Sequence, residues 1–268
     1  MLTAVYYFYQ YALCSAPSVM MPQLSETFGV TALGVASIVG LFYYGYSPFN
    51  LVAGAAMDQL GPWKVLPIAA AMVGVGALLF ATGRSDVASV GRVLQGTGRV
   101  FAFMGEIYIA TKNFRTSKAA TLVGATQMFG MPGRSAGQFV VGPMIGGGGL
   151  AWNRFWVGMG IAGLETCALL LLPKQKREAH PNNWWGSTVG SFRIGFSNPQ
   201  SILCGLIAGL LFIPTTIFDM VWGVRYLQEA HGFDYASAVM RSSAVPLGGS
   251  SAVRFSVSSP TASGDESR

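Results

Sequence analysis

LFYYGYSPFNLVAGAAMDQLGPWKVL, residues 41–66, decides how this chain is read. Its apolar and aromatic run ends at Gly54-Ala55-Ala56-Met57-Asp58-Gln59-Leu60-Gly61-Pro62-Trp63-Lys64, and apolar sequence resumes at Val65. A carboxylate and an ammonium flanked by glycines, in a very short turn between two runs long enough to cross lipid, describe a hairpin through a bilayer. The composition agrees. Hydrophobic residues make up 51% of the 268 and charged residues 10%, against about 25% charged in soluble domains, so water is not the main solvent. The 35 glycines fit helices that approach closely in lipid, where small residues let backbones meet.

Working outward, a span needs about 20 apolar residues. That measure predicts helix 1 near 2–21, helix 2 near 31–55, helix 3 near 64–83, helix 4 near 87–110, helix 5 near 119–146 and helix 6 near 154–173. Helix 7 is expected near 200–224, and an eighth begins near 235. The expected class is an all-α membrane protein: a six-helix bundle over 1–173, a cytoplasmic linker over 174–199 and the start of a second bundle over 200–248. The linker is charged, then amphipathic, as an interfacial stretch would be. Residues 249–268 are Ser-rich and poor in large apolar residues, which predicts a disordered tail foreign to the fold and a chain cut short. The chain opens directly on an apolar run with no basic n-region, so no cleavable signal peptide is expected.

The net charge of +6 is topology rather than a nucleic-acid surface. Lys64, Lys112, Arg115, Lys118, Lys174, Lys176, Arg177 and Arg193 fall in alternate turns; the opposite turns hold Arg84, Arg154 and Arg225. That imbalance places the 2–3, 4–5 and 6–7 connections and the N-terminus in the cytoplasm. Cys14, Cys167 and Cys204 lie in separate apolar runs and imply packing, with no disulfide framework and no metal site. His180 and His231 sit in loops without triad or metal-ligand neighbours. The glycines at 146–149 lack the Lys-Ser/Thr of a phosphate loop. No cofactor and no enzyme chemistry are expected.

Polar residues inside the spans are the functional candidates. Arg92, Arg99 and Glu106 in helix 4 are seven apart, hence on one face within about 20° per step. Each charge near the bilayer centre costs at least about 2.5–3.5 kcal/mol, so three on one face require a hydrated cavity or partners on other helices. The structural alternatives are an ion pair that orients the bundle for Arg92, and snorkelling or a Lys112 pair for Glu106. Tyr7, Gln10, Tyr11 and Cys14 share a face of helix 1; Tyr43, Tyr46, Ser47 and Asn50 share one of helix 2; Thr215, Asp219 and Trp222 share one of helix 7. Gln127 of helix 5 joins this set. Such residues suit a water-accessible solute path, and equally an interfacial aromatic belt. Asp219 is the carboxylate candidate for ion coupling outside helix 4. Glu165 in helix 6 has no evident partner, and Arg134, after Pro132-Gly133, is an unexpected charge in helix 5.

Three motifs carry a resemblance. Gly54, Asp58 and Gly61, followed by Lys64, match the loop between helices 2 and 3 of the major facilitator superfamily, although Gln59, Pro62 and Trp63 stand where that family has basic residues. Arg92 and Gly96 match its helix-4 pattern R-x-x-x-G, and Arg99 falls where it has a small residue. Gly142, Pro143, Gly146 and Gly147 resemble the helix-5 signature G-P-x-x-G-G, with Gln138 in place of a further glycine; bending and close packing explain these residues without any antiporter role. The Tyr-rich helices 1 and 2 look like a bacterial branch allied to the lysosomal dipeptide carrier. The resemblance implies secondary active transport of a small solute by alternating access in the cell membrane, a bacterial inner membrane by the branch it suggests. It implies a role for Arg92 in proton coupling or solute binding, and the Asp58 turn as a cytoplasmic latch. Its partners would be lipid, a small-molecule solute and protons as coupling ion. The rival expectation is a non-transporting fragment or half-transporter that acts as a scaffold or subunit.

Overall fold

The computed structural model describes residues 2–146, 149–171, 190 and 196–245. Among them the chain is helical with no strand. The order is α1 (Leu2–Ser15), a 3-10 turn (Ala16–Val19), α2 (Met21–Phe28), α3 (Ala32–Gly40), α4 (Phe42–Leu60), α5 (Pro62–Phe80) and α6 (Ser85–Asn113). Then come α7 (Thr116–Phe139), α8 (Val141–Gly146), α9 (Trp152–Leu171), α10 (Pro199–Ile217), a π-helical turn (Phe218–Trp222) and α11 (Gly223–His231). A last helix, α12, covers 235–245. The linker beyond Leu171 and the tail beyond Val245 lie outside the described residues, apart from 190 and 196–199.

The opening hairpin forms as its punctuation dictates. α4 and α5 are joined by Gly61 alone, at φ 75° and ψ 154°, a backbone region open essentially only to glycine. Pro62 then occupies the first turn of α5, where its missing N–H would have had no helical partner. Elsewhere the helices divide more finely than apolar length predicts. Helix 1 is expected to reach 21, but α1 stops at Ser15, and Pro17 stands in the 3-10 turn that follows. Pro22 starts the separate α2, which ends on left-handed Gly29. α3 is capped by Thr31, whose hydroxyl accepts the Gly34 N–H at 3.3 Å. The helix-5 segment breaks at Val140 and the helix-7 segment at the π-turn.

Among the described residues two helices, Pro62–Phe80 and Trp152–Leu171, are long and apolar enough to cross a membrane on their own. Met21–Phe28 with Ala32–Leu60, bent by 97°, makes a third if taken as one span. The expectation of seven independently apolar spans is therefore too simple. α1 is only 14 residues long. α6 carries Arg92, Arg99 and Glu106 and α7 carries Arg134; Arg92 and Arg134 are buried, and Arg99 and Glu106 are half-buried.

Glycines set the packing. α5 lies between α6 and α9, α1 packs on α7, and α4 on α6. A Cβ on Gly74 would come 2.9 Å from the Gly160 carbonyl of α9, and one on Gly76 would come 2.6 Å from the Gly91 carbonyl of α6. A Cβ on Gly96 would run into the Phe42 carbonyl. Gly91, Gly96 and Gly98 thus serve helix contact, as expected. The core they surround includes Tyr6, Leu24, Val35, Phe80 and Trp156. Ile68, Val75, Val157, Ile161 and Leu164 turn outward, as a lipid-facing surface requires.

α12 rests on the 3-10 turn, α7 and α8. The Tyr235 hydroxyl of α12 donates to the Val19 carbonyl at 2.9 Å and lies 3.3 Å from the Gly142 carbonyl. Ser135 donates to the Ser243 carbonyl at 2.7 Å. A Cβ on Gly142 or Gly146 would meet Val239 or Tyr235, so these members of the helix-5 signature act where α8 receives α12.

Candidate functional site

Helix α6 brings two guanidinium groups into the bundle. Arg92 is wholly buried. It donates from Nη1 to Gln95 Oε1 at 2.7 Å and from Nε to the Val39 carbonyl at 3.4 Å. Its guanidinium carbon lies 5.2 Å from the Phe42 ring, 5.6 Å from Phe80 and 6.0 Å from Trp156, within cation–π range. Nη2 has no partner among the described residues. The alternative of a structural ion pair for Arg92 therefore finds no carboxylate there. Gln95, three residues on along the same helix, is the partner that sequence reasoning missed; its i+3 spacing was the available signal.

Arg99 keeps part of its surface exposed. It donates from Nη1 to Cys14 Sγ. Its guanidinium carbon sits 4.3 Å over the Tyr11 ring, 5.5 Å from Phe42 and 6.0 Å from Tyr46. A cavity of about 10 Å³ between Gln10, Leu13, Cys14, Phe42, Val73, Gln95 and Arg99 has about the room one water needs. Gln10 is buried beside Tyr6, and neither of its amide atoms reaches a hydrogen bond of good geometry among the described residues.

Helix α1 and helix α7 close the other side. The Tyr7 hydroxyl donates to Gln127 Oε1 at 2.9 Å and lies 3.1 Å from the Tyr11 hydroxyl. The Tyr7 ring stacks on Phe103 of α6 at 5.9 Å. Arg134 of α7 is buried, with its guanidinium 5.9 Å from the Tyr11 ring. Gln138, which stands where the helix-5 signature has glycine, donates to the Ser18 hydroxyl at 3.1 Å. That bond ties α7 to the 3-10 turn.

Tyr7, Gln10, Tyr11, Tyr43, Tyr46, Gln127, Arg92 and Arg99 thus lie in one connected neighbourhood. Other expected members stand apart. Glu106 is half-buried and accepts a hydrogen bond from Thr126 of α7, while Lys112 lies 5.7 Å from the Tyr108 ring; the expected Glu106–Lys112 pair is not formed. Asn50 donates to the Tyr46 carbonyl on its own helix at 3.3 Å. Asp58 and Gly54 are exposed at the end of α4, and the Lys64 ammonium sits 5.4 Å from the Trp63 ring. Glu165 is exposed on α9. The side chain of Asp219, in the π-turn, lies outside the described residues, as does Gly147. No group of metal-ligating side chains exists among the described residues.

A family model described as Major Facilitator Superfamily matches residues 3–260. The chain belongs to the major facilitator superfamily. A comparison with curated proteins gave no match. Membership makes this an integral, multi-pass membrane protein whose function is membrane transport, with lipid and a small-molecule solute as its partners. It accounts for the buried guanidinium groups, since intramembrane charge in such proteins faces the bundle interior.

Proposed function

We propose that this major facilitator superfamily chain is a secondary active transporter that moves a small solute by alternating access. Arg99, Tyr7, Gln10, Tyr11, Tyr43, Tyr46, Asn50 and Gln127 line the solute path in this reading, and Arg92 lies buried behind them as a fixed positive charge. The observation that carries it is the convergence of α1, α4, α6 and α7 on one aromatic and cationic neighbourhood inside the apolar bundle. Glu106 and Asp219 are the carboxylates for proton coupling, and Asp58 with Gly54, Gly61 and Lys64 forms a cytoplasmic latch. The N-terminus faces the cytoplasm of a cell membrane, and the bacterial inner membrane suits the Tyr-rich branch it resembles. An exposed acid in the last turn of α4 supports the latch, because a helix C-terminus disfavours negative charge unless another surface receives it.

Proteoliposomes carrying the full chain under an imposed pH gradient test this with labelled dipeptides, amino acids and organic acids. Uptake of one class above protein-free vesicles is expected, and Asp58→Ala should abolish it. No uptake of any class, from a folded and correctly inserted protein, would favour the scaffold or subunit role.

A further inference from the structure

Among the described residues the two guanidinium groups of α6 have no carboxylate as counter-charge: Arg92 is held by an amide and a carbonyl, and Arg99 by a thiol. A guanidinium carries five N–H donors, and one hydrogen bond accounts for Arg99. Arg92 is sealed on all sides, whereas Arg99 and the Tyr43 and Tyr46 rings keep open surface. The cavity beside Arg99 has about the room of one water, so a larger anion must come from the open side.

Resting on the transport reading of this site, we propose that the solute carries a carboxylate on an apolar or aromatic body, and that Arg99 receives that carboxylate. The planar fork of a guanidinium matches two carboxylate oxygens. The half-buried Tyr43 and Tyr46 rings beside it offer flat walls to the body, while the buried Tyr11 ring backs the guanidinium. Arg92, behind Gln95 and Phe42, adds positive potential without touching the solute.

Binding of labelled benzoate to the purified full chain in detergent tests this at constant ionic strength, with benzamide, inorganic phosphate and chloride as competitors. Saturable benzoate binding is expected, displaced by other carboxylates and not by benzamide. Displacement by phosphate or chloride as effective as by carboxylate would reassign the site to an adventitious inorganic ion and overturn the proposal. Arg99→Gln should weaken benzoate binding roughly ten- to a hundredfold, as expected for a lost hydrogen bond to a charged group. Arg99→Lys, which keeps the charge and loses the fork, should fall between. Matching melting curves of the three proteins show that the losses are not misfolding. No carboxylate binding to the unsubstituted chain, or equal binding by Arg99→Gln, overturns the proposal. Uptake of an uncharged solute by Arg99→Gln in proteoliposomes would sink the carboxylate and leave transport standing.

Discussion

Arg92 and Arg99 are one heptad apart on α6, yet their neighbourhoods differ in kind. Arg92 is enclosed by Phe42, Phe80 and Trp156, which come from α4, α5 and α9. Arg99 lies against Tyr11, Cys14 and Tyr46 and keeps an open side. The same residue type on the same helix face thus meets a packed core at one level and an accessible polar wall at the next. Burial, and not residue type, is what separates the two guanidinium groups.

The largest expected effect tests the packed side. Trp156 is completely buried, with its ring 4.4 Å from Phe80 and its N–H donated to Met20 Sδ at 3.3 Å. Trp156→Ala should cost about 3–5 kcal/mol of stability. Tyr46→Ala, on the open side, should cost about 1 kcal/mol. Unfolding in a mixed detergent series measures both. Equal costs would erase the distinction between the two neighbourhoods.

Next is the close approach that lets α4 reach α6. A Cβ on Gly96 meets the Phe42 carbonyl and comes within 3.0 Å of the Tyr46 amide nitrogen, whereas one on Gly54 meets nothing within 4 Å. Gly96→Val should cost about 1–3 kcal/mol through overpacking and displace Phe42 from Arg92. Gly54→Ala should gain up to about 1 kcal/mol of helix stability. If Gly54→Ala also abolishes transport at unchanged fold, the latch segment needs that glycine for a partner and not for its own helix.

These contrasts mark how far the sequence could be read. The α4–α5 hairpin was legible because Asp58, Gly61 and Pro62 punctuate two apolar runs, and the 92–99–106 face follows from helical period alone. The end of α1 at Ser15 was not legible by hydropathy, since Val19, Met20 and Met21 continue the apolar run through a 3-10 turn and into a new helix. Pro17 and Pro22 were the only local signs. The unequal burial of Arg92 and Arg99 was out of reach for a different reason. It depends on Phe42, Phe80 and Trp156, which are distant in sequence and meet at Arg92 only once glycines 74, 76 and 96 have let the helices close.

A smaller effect separates stability from turnover at the latch. Asp58 is exposed near the C-terminus of α4, where the helix macrodipole opposes a carboxylate. Asp58→Asn should therefore raise stability by about 0.3–1 kcal/mol while lowering uptake in proteoliposomes. A loss of both would mean that the carboxylate holds the first bundle together on its own.

The smallest expected effect comes from a third guanidinium, outside the apolar bundle. Arg84 donates from Nη2 to Asp86 Oδ2 at 2.8 Å, and both side chains are exposed. The Arg84 hydrogen bond holds the Asp86 carboxyl below its usual range. A depressed carboxylate contributes stability above its unfolded pKa, about 3.9, and loses that contribution as pH falls through the lower folded value. Thermal melts of the unsubstituted chain and Asp86→Asn should thus nearly coincide from pH 5 to 7, because water screens exposed pairs, and any gap should close in acid. A wide gap at neutral pH would show that the α5–α6 turn depends on its ion pair. The contrast with Arg99 would then lose its force, since a surface guanidinium paired with a carboxylate would matter to the fold as much as one held by a thiol and aromatic rings inside the bundle.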